Sequence, residues 1–407
     1  MNHKHIHLAA SALVLITGAA LITLSTRHLS PHLARGSGAA GAVIAAAHNP
    51  SPAPAITPTP TPIPAAAVKP TAAASGQALG VQTAAQPSSL GIAAGSGLAV
   101  LSSAELAIRL DQMRTLGVTW LRYDVEWANI EQKGTGLYDW SAYDRVTAAA
   151  TTRGFAIIGI IDYTPPWARL SGCAGTSACA PNNPADYGAF AGAAARHYSK
   201  LGIHHWEIWN EPNNRHFFQP GADTARYTAM LRSAYSQIKA ADPGATVLTG
   251  GLSPADTGGG YISPIDFINA LYQQGAAGAF DAVADHPYSF PFLVTRTNPD
   301  SAWGQMKDIR ATMVAHGDAG KKIWVTEYGA PTGGPGNGPV SEAIQAQILA
   351  DVIAQMRTYT WAGPLLWYSY KDVGTTQDTV ENFFGLVRAD GTPKPAYQIF
   401  KNLASGY

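Results

Sequence analysis

The stretch His-Trp-Glu-Ile-Trp-Asn-Glu-Pro-Asn, residues 205–213, is an apolar run of strand length that stops at a carboxylate, Glu211, and turns at Pro212. A second stretch, Ile-Trp-Val-Thr-Glu-Tyr-Gly at 323–329, ends the same way at Glu327, 116 residues later. A glutamate just past a buried strand adds little to a core. It does hold a carboxylate rigidly at the mouth of a site built on strand ends. Two such ends predict parallel strands opening onto one face, with one carboxyl available as proton donor and the other as nucleophile or base.

Working outward, the same alternation of short apolar and longer amphipathic segments fills the chain from Leu90. Strands are predicted at Leu90–Ala94, Val118–Tyr123, Phe155–Ile161, Ile203–Trp209, Thr246–Gly251, Phe280–Ala284, Lys322–Thr326 and Pro364–Tyr368. Helical patterns lie between and after them: Ala104–Leu116 capped by Ser102 or Ser103, a segment from Asp139 or Ser141 towards Arg153, Ala185–Lys200 opened by Asn183-Pro184, Thr224–Ala240, Pro264–Gln274, Ala302–His316, Ser341–Tyr359 and Pro395–Leu403. Eight strand–helix units in 89–407 predict an α/β fold, a (β/α)8 TIM barrel. An open doubly wound sheet would carry a phosphate-binding glycine turn after its first strand. Gly91–Gly97 has glycines without that spacing.

In such a barrel, functional residues belong at the C-terminal strand ends. Those ends supply Arg122, Asp124 and Trp127; Asp162, Tyr163 and Trp167; Asn210 and Glu211; His286 and Tyr288; Glu327 and Tyr328; and Trp367, Tyr368 and Tyr370.

These residues resemble the retaining glycoside hydrolases of clan A, of the family 39 and family 5 type. Asn210-Glu211-Pro212 is similar to the clan's acid/base strand end, and Thr326-Glu327-Tyr328-Gly329 to its nucleophile strand end. Leu121-Arg122-Tyr123-Asp124 with Trp127, Tyr163-Thr164-Pro165-Pro166-Trp167 and Lys394-Pro395-Ala396-Tyr397 extend the likeness along the domain. The resemblance implies double-displacement cleavage of a glycosidic bond, with Glu211 as acid/base and Glu327 as nucleophile. It also implies that Arg122 and Tyr288 support Glu327, and that His286 lines the same subsite. Asn210 is expected on the 2-hydroxyl of the attacked sugar, Trp367 as the sugar platform, and Trp127 and Trp167 as extensions of a cleft. Three aromatics on separate strands suggest a groove and endo-action on a β-linked polysaccharide. An exo-acting β-xylosidase-like enzyme is the alternative. A carbohydrate-binding protein without activity would be expected to lack a carboxylate, and a purely structural wall protein would leave both unexplained.

The chain has 407 residues with 27 basic and 27 acidic side chains. With no net charge and no basic run, nucleic acid is not an expected partner. No motif calls for an organic cofactor or catalytic metal, and a monomer is expected. Residues 1–48 read as an export signal or an N-terminal membrane anchor. The apolar stretch 8–24 suits either role, which places the protein outside the cytoplasm. Residues 49–88 are a Pro/Ala/Thr-rich linker, on the order of 100 Å if extended. The two cysteines, Cys173 and Cys179, are expected to pair as a disulfide.

Overall fold

The computed structural model describes residues 89–405. The expected signal or anchor and the whole of the expected linker lie outside them. Eight parallel strands pair in sequence order and close on themselves. They are β1 (Leu90–Ala93), β2 (Trp120–Asp124), β3 (Ala156–Ile161), β4 (His205–Ile208), β5 (Thr246–Leu248), β6 (Ala282–Asp285), β7 (Lys322–Tyr328) and β8 (Ala362–Trp367). β1 pairs with both β2 and β8, so the barrel has no open edge. The helices are α1 (Ser103–Leu116), α2 (Trp127–Ile130), α3 (Ser141–Thr151), α4 (Pro184–Tyr198), α5 (Thr224–Ala241), α6 (Pro264–Gln273), α7 (Ala302–Ala315), α8 (Glu342–Met356) and α9 (Pro395–Ala404). All eight expected strands are present, with ends shifted by a few residues. The one-turn α2 was not anticipated.

Local chemistry explains the element boundaries. Ser102 and Glu105 form a reciprocal capping box at the start of α1, and Gly117 closes it in the left-handed conformation. Leu106, Leu110, Met113 and Leu116 form the buried stripe of α1, each contributing about 1.5–3 kcal/mol of burial. Asn183 caps α4 ahead of Pro184, as its sequence suggests.

Two apolar layers result. Inside the barrel, Ala93, Ile158, Leu248, Ala282, Ala284, Trp324 and Leu366 pack together. Small residues on several strands leave room for the tryptophans: Trp120 meets Trp324 edge-on at 5.1 Å. The larger layer lies between strands and helices. Side chains alternate between the two layers along each strand. That alternation decides which residues at the C-terminal rim face the cleft.

Candidate active site

Arg122 is the joint of the site. Its alternation on β2 points it into the barrel, where it is 1 % exposed. Nε and Nη2 donate to the two oxygens of Glu207 at 2.8 and 2.9 Å, Nη2 also donates to Asn210 Oδ1 at 3.0 Å, and Nη1 donates to Glu327 Oε1 at 2.6 Å. Glu207 is fully buried and accepts the Gly251 backbone N–H as well. Glu207 therefore locks the guanidinium in place, leaving one arm for Glu327. Glu207 is not among the strand-end residues that the sequence singles out. The usable signal was parity: Glu207 stands four residues before Glu211, on an inward-facing position of β4.

Glu327 stands near the end of β7, where the register against β8 shifts between Val325 and Tyr328. That irregularity lets neighbouring residues both serve the site. Thr326 Oγ1 lies 3.0 Å from His286 Nε2, while Glu327 Oε2 accepts the Tyr288 hydroxyl at 2.8 Å. Burial raises the Glu327 carboxyl above its ordinary range, and the Arg122 charge and the Tyr288 hydrogen bond oppose that rise.

Glu211 follows β4 on a strained backbone. Trp209 and Glu211 have φ of 72° and 45°, a region that costs a side-chain-bearing residue about 1–3 kcal/mol. Neighbouring backbone holds them there: Trp209 N–H donates to Ile161 O at 2.9 Å, and Glu211 N–H donates to Gly251 O at 3.1 Å. Asn214 Nδ2 donates to Glu211 Oε2 at 3.2 Å, and His286 Nδ1 is 3.2 Å from Oε1. Burial again raises the carboxyl, opposed by His286, with the Glu327 charge adding to the rise. Gly251 permits this packing, since a Cβ there would come within 2.0 Å of His286 Nε2.

The carboxyl oxygens of Glu211 and Glu327 and a ring nitrogen of His286 all lie within 4.8 Å of one another. Among the described residues this is the one such set that could reach a single ion. Arg122 already stands 2.6 Å from Glu327, however, so a metal cation would meet like charge. As a pair of acids the arrangement is better matched. Burial raises both carboxyls, and of the two only Glu327 touches a permanent cation, which favours its charged form.

Two of the expected sugar platforms are elsewhere. Trp127 is fully buried under the rim, stacked on Phe190 at 5.8 Å with its indole N–H on Glu131. Trp367 is 1 % exposed and faces the helix layer, where it packs beside Tyr328 and donates to Phe384 O. The reason is parity: Leu366 and the next inward residue, Tyr368, point into the barrel, and Trp367 between them cannot. Tyr368 is the aromatic that β8 presents to the site. Its hydroxyl donates to Glu381 Oε2 at 2.9 Å, a carboxyl that no motif singled out. Trp167 does stand on the rim, 36 % exposed, with Nε1 on Glu131 O. Trp206 and Trp209, by contrast, are fully buried, and Trp209 donates its indole N–H to Phe217 O. Cys173 and Cys179 are joined in a disulfide in the loop after β3.

No protein-family model matches the chain, and no curated protein matches it. Solved structures do. A family 39 glycoside hydrolase from the gut symbiont Bacteroides cellulosilyticus WH2 aligns with a TM-score of 0.62 at 24 % identity. The alignment covers 78 % of this chain and 64 % of that one. GH5_18 from Bifidobacterium longum subsp. longum aligns with a TM-score of 0.59 at 16 % identity, covering 78 % and 79 % of the two chains. A β-glycosidase, BGL167, aligns with a TM-score of 0.56 at 17 % identity, covering 79 % and 97 %. At these identities the likeness shows a shared fold: the (β/α)8 barrel on which these glycoside hydrolases are built.

Proposed function

We propose that this chain is a retaining β-glycosidase acting on a β-linked polysaccharide. The observation that carries the reading is the proximity of Glu211 and Glu327. One carboxyl oxygen of each residue lies within 4.8 Å of one from the other, which agrees with the roughly 5–5.5 Å spacing of carboxyl groups in double displacement. Glu327 attacks the anomeric carbon while Glu211 gives its proton to the leaving oxygen. Glu211, now ionised, then takes a proton from the water that releases the sugar. Arg122 and Tyr288 keep Glu327 charged, and Asn210, held through its Oδ1 by Arg122, is placed for the 2-hydroxyl of the attacked sugar. The neighbours' descriptions support a carbohydrate substrate. One structure of the Bifidobacterium protein is a complex with Manb1-4GlcNAc.

Cleavage is proposed to be internal to the polymer. With Trp127 and Trp367 buried, the support now comes from Trp167 after β3 and Phe292 after β6, exposed by 36 % and 59 % and set three strands apart. Viscosity of a soluble polymer should fall before many reducing ends appear; monosaccharide release alone would favour an exo-acting enzyme. The protein is further proposed to work outside the cytoplasm, where its disulfide would persist. No described helix is long and apolar enough to cross a membrane.

The roles are tested by rescue. Glu327→Ala should lose at least about a thousandfold in kcat on every substrate. Glu211→Ala should retain turnover of activated aryl β-glycosides and, with azide, yield the β-glycosyl azide. An α-azide product from Glu327→Ala and none from Glu211→Ala would support the roles as assigned for the nucleophile alone and remove Glu211 as the acid/base.

A further inference from the structure

The β2–β3 side of the cleft carries three carboxyls that the reaction does not use. Asp124 follows Arg122 by two residues on β2 and pairs in register with Ile160. Asp162 follows Ile160 by two. The period of two sets both carboxyls on the inner side of the barrel, one layer above the guanidinium. Glu126 comes next along the chain and lies within the electrostatic reach of Asp124.

Among the described residues no cation forms an ion pair with any of the three, and two of them have no hydrogen-bond donor. Asp162 is fully buried, and neither of its oxygens has a hydrogen-bond partner among the described residues. Asp124 is 9 % exposed and within electrostatic reach of both Asp162 and Glu327, and no described donor bonds to it. Glu126 is bonded by the amide of Asn129. The cation whose charge reaches Asp124 and Asp162 is Arg122, and its arms are committed to Glu207, Asn210 and Glu327. Burial pushes Asp124 up to about 7 and Glu126 up to about 8, with the charge of Asp124 adding to the rise at Glu126. Leaving buried acids unpaired is costly, so the arrangement is poised for a ligand that supplies positive charge and N–H donors together.

We propose that this side of the cleft is a subsite for an amino sugar carrying a free, protonated amine, which is received by Asp124 and Glu126 with Asp162 behind them. The proposal rests on the glycosidase reading and narrows its substrate class. A uronic or sulfated sugar would meet like charge here. A neutral sugar would bring donors but no charge. A bare metal ion is a poorer fit, because these three carboxyls do not converge within the 4.8 Å reach that Glu211, His286 and Glu327 share. An ammonium group, with three divergent donors on a rigid ring, suits carboxyls spread over two strands.

The full-length Glu211→Gln variant, unable to supply the acid, is titrated calorimetrically with β-1,4 oligomers of equal length. They differ only at C2: glucosamine, N-acetylglucosamine or glucose. Wild-type hydrolysis of the corresponding polymers and of aryl β-glycosides is measured in parallel. The free-amine oligomer should bind at least about tenfold more tightly than the glucose oligomer, the size of one charge-assisted hydrogen bond. Adding Asp124→Asn should bring that ratio close to one. If Asp124→Asn does not fold, Glu126→Gln in its place should lower the ratio severalfold. Equal or weaker binding of the free-amine oligomer overturns the subsite, as does tighter retention of calcium than of the amine. Hydrolysis of neutral polymers alongside that result would leave the glycosidase reading standing. Failure of the wild type on every glycoside would remove that reading, while the binding ratio would still decide the subsite.

Discussion

At the residue scale the site is governed by how one guanidinium is shared. Glu207 takes two of Arg122's donors and fixes its plane, so the remaining arm meets Glu327 at a set position. Tyr288 supplies the second contact to Glu327. Its hydrogen bond favours the ionised carboxylate, so Tyr288→Phe removes a stabiliser of the charged form. The Glu327 pKa then rises further, and since attack needs the ionised form, the acid limb of kcat/KM moves to higher pH. A fall in kcat/KM of about ten- to a hundredfold is expected at the optimum. A pH–rate profile of the variant checks both; an unmoved acid limb would mean Tyr288 only packs. Most of these residue types were legible at strand ends. The pairing of Arg122 with Glu207 was not, because two residues 85 positions apart, on strands separated by β3, meet only when the closed barrel turns both side chains into its interior.

At the element scale, the segment after β8 is held by one buried ion pair. Lys394, 2 % exposed at the entrance of α9, donates to Asp372 Oδ1 at 2.8 Å, to Thr332 Oγ1 at 2.8 Å and to Phe383 O at 3.0 Å. It thereby ties the loop bearing Glu381 to the β7 rim. Replacing it by methionine strands Asp372 without its counter-charge. Lys394→Met is expected to destabilise the fold by about 3–5 kcal/mol, read as a lower urea midpoint at unchanged slope. Asp372→Asn together with Lys394→Met should recover part of that loss. The loop after β3 has a different fastening. Cys173 and Cys179 close a short ring, worth about 2 kcal/mol in chain entropy. Thiol titration of unreduced, unfolded protein should find no free cysteine. The sequence motif Lys394-Pro395-Ala396-Tyr397 marked this region but said nothing of Asp372, whose approach depends on how the loop folds back.

At the scale of the whole molecule, carboxyls buried at the mouth make stability depend on pH in an unusual direction. Burial raises Asp124 to about 7, and Glu126 and Glu381 to about 8, above the ordinary carboxylate range. The folded protein therefore keeps protons that the unfolded chain releases near pH 4. Stability is fullest below about pH 4 as far as these groups are concerned, and is lost progressively as pH rises towards 8. The melting temperature is expected to be higher near pH 5 than near pH 8, and Asp124→Asn should flatten the slope. A melting temperature that climbs between pH 5 and 8 in the wild type, with the same slope in Asp124→Asn, would contradict it.

Read alone, the sequence determined the barrel and set two glutamates at its rim. Eight apolar runs separated by amphipathic helices have few ways to bury both faces of every strand, and a carboxylate past each of two such runs has to sit at the rim. Tertiary structure decided which aromatics face the barrel interior and which carboxyls are left unpaired. Trp127, Trp367 and Tyr368 look alike in the sequence, as large rings near strand ends. Only strand register, which turns Tyr368 inwards and sends Trp367 to the helices, tells them apart. Asp124, Asp162 and Glu207 are likewise three ordinary acids in the sequence. Their difference arises because β4 lies close enough for Glu207 to meet Arg122, and no cation remains for the other two.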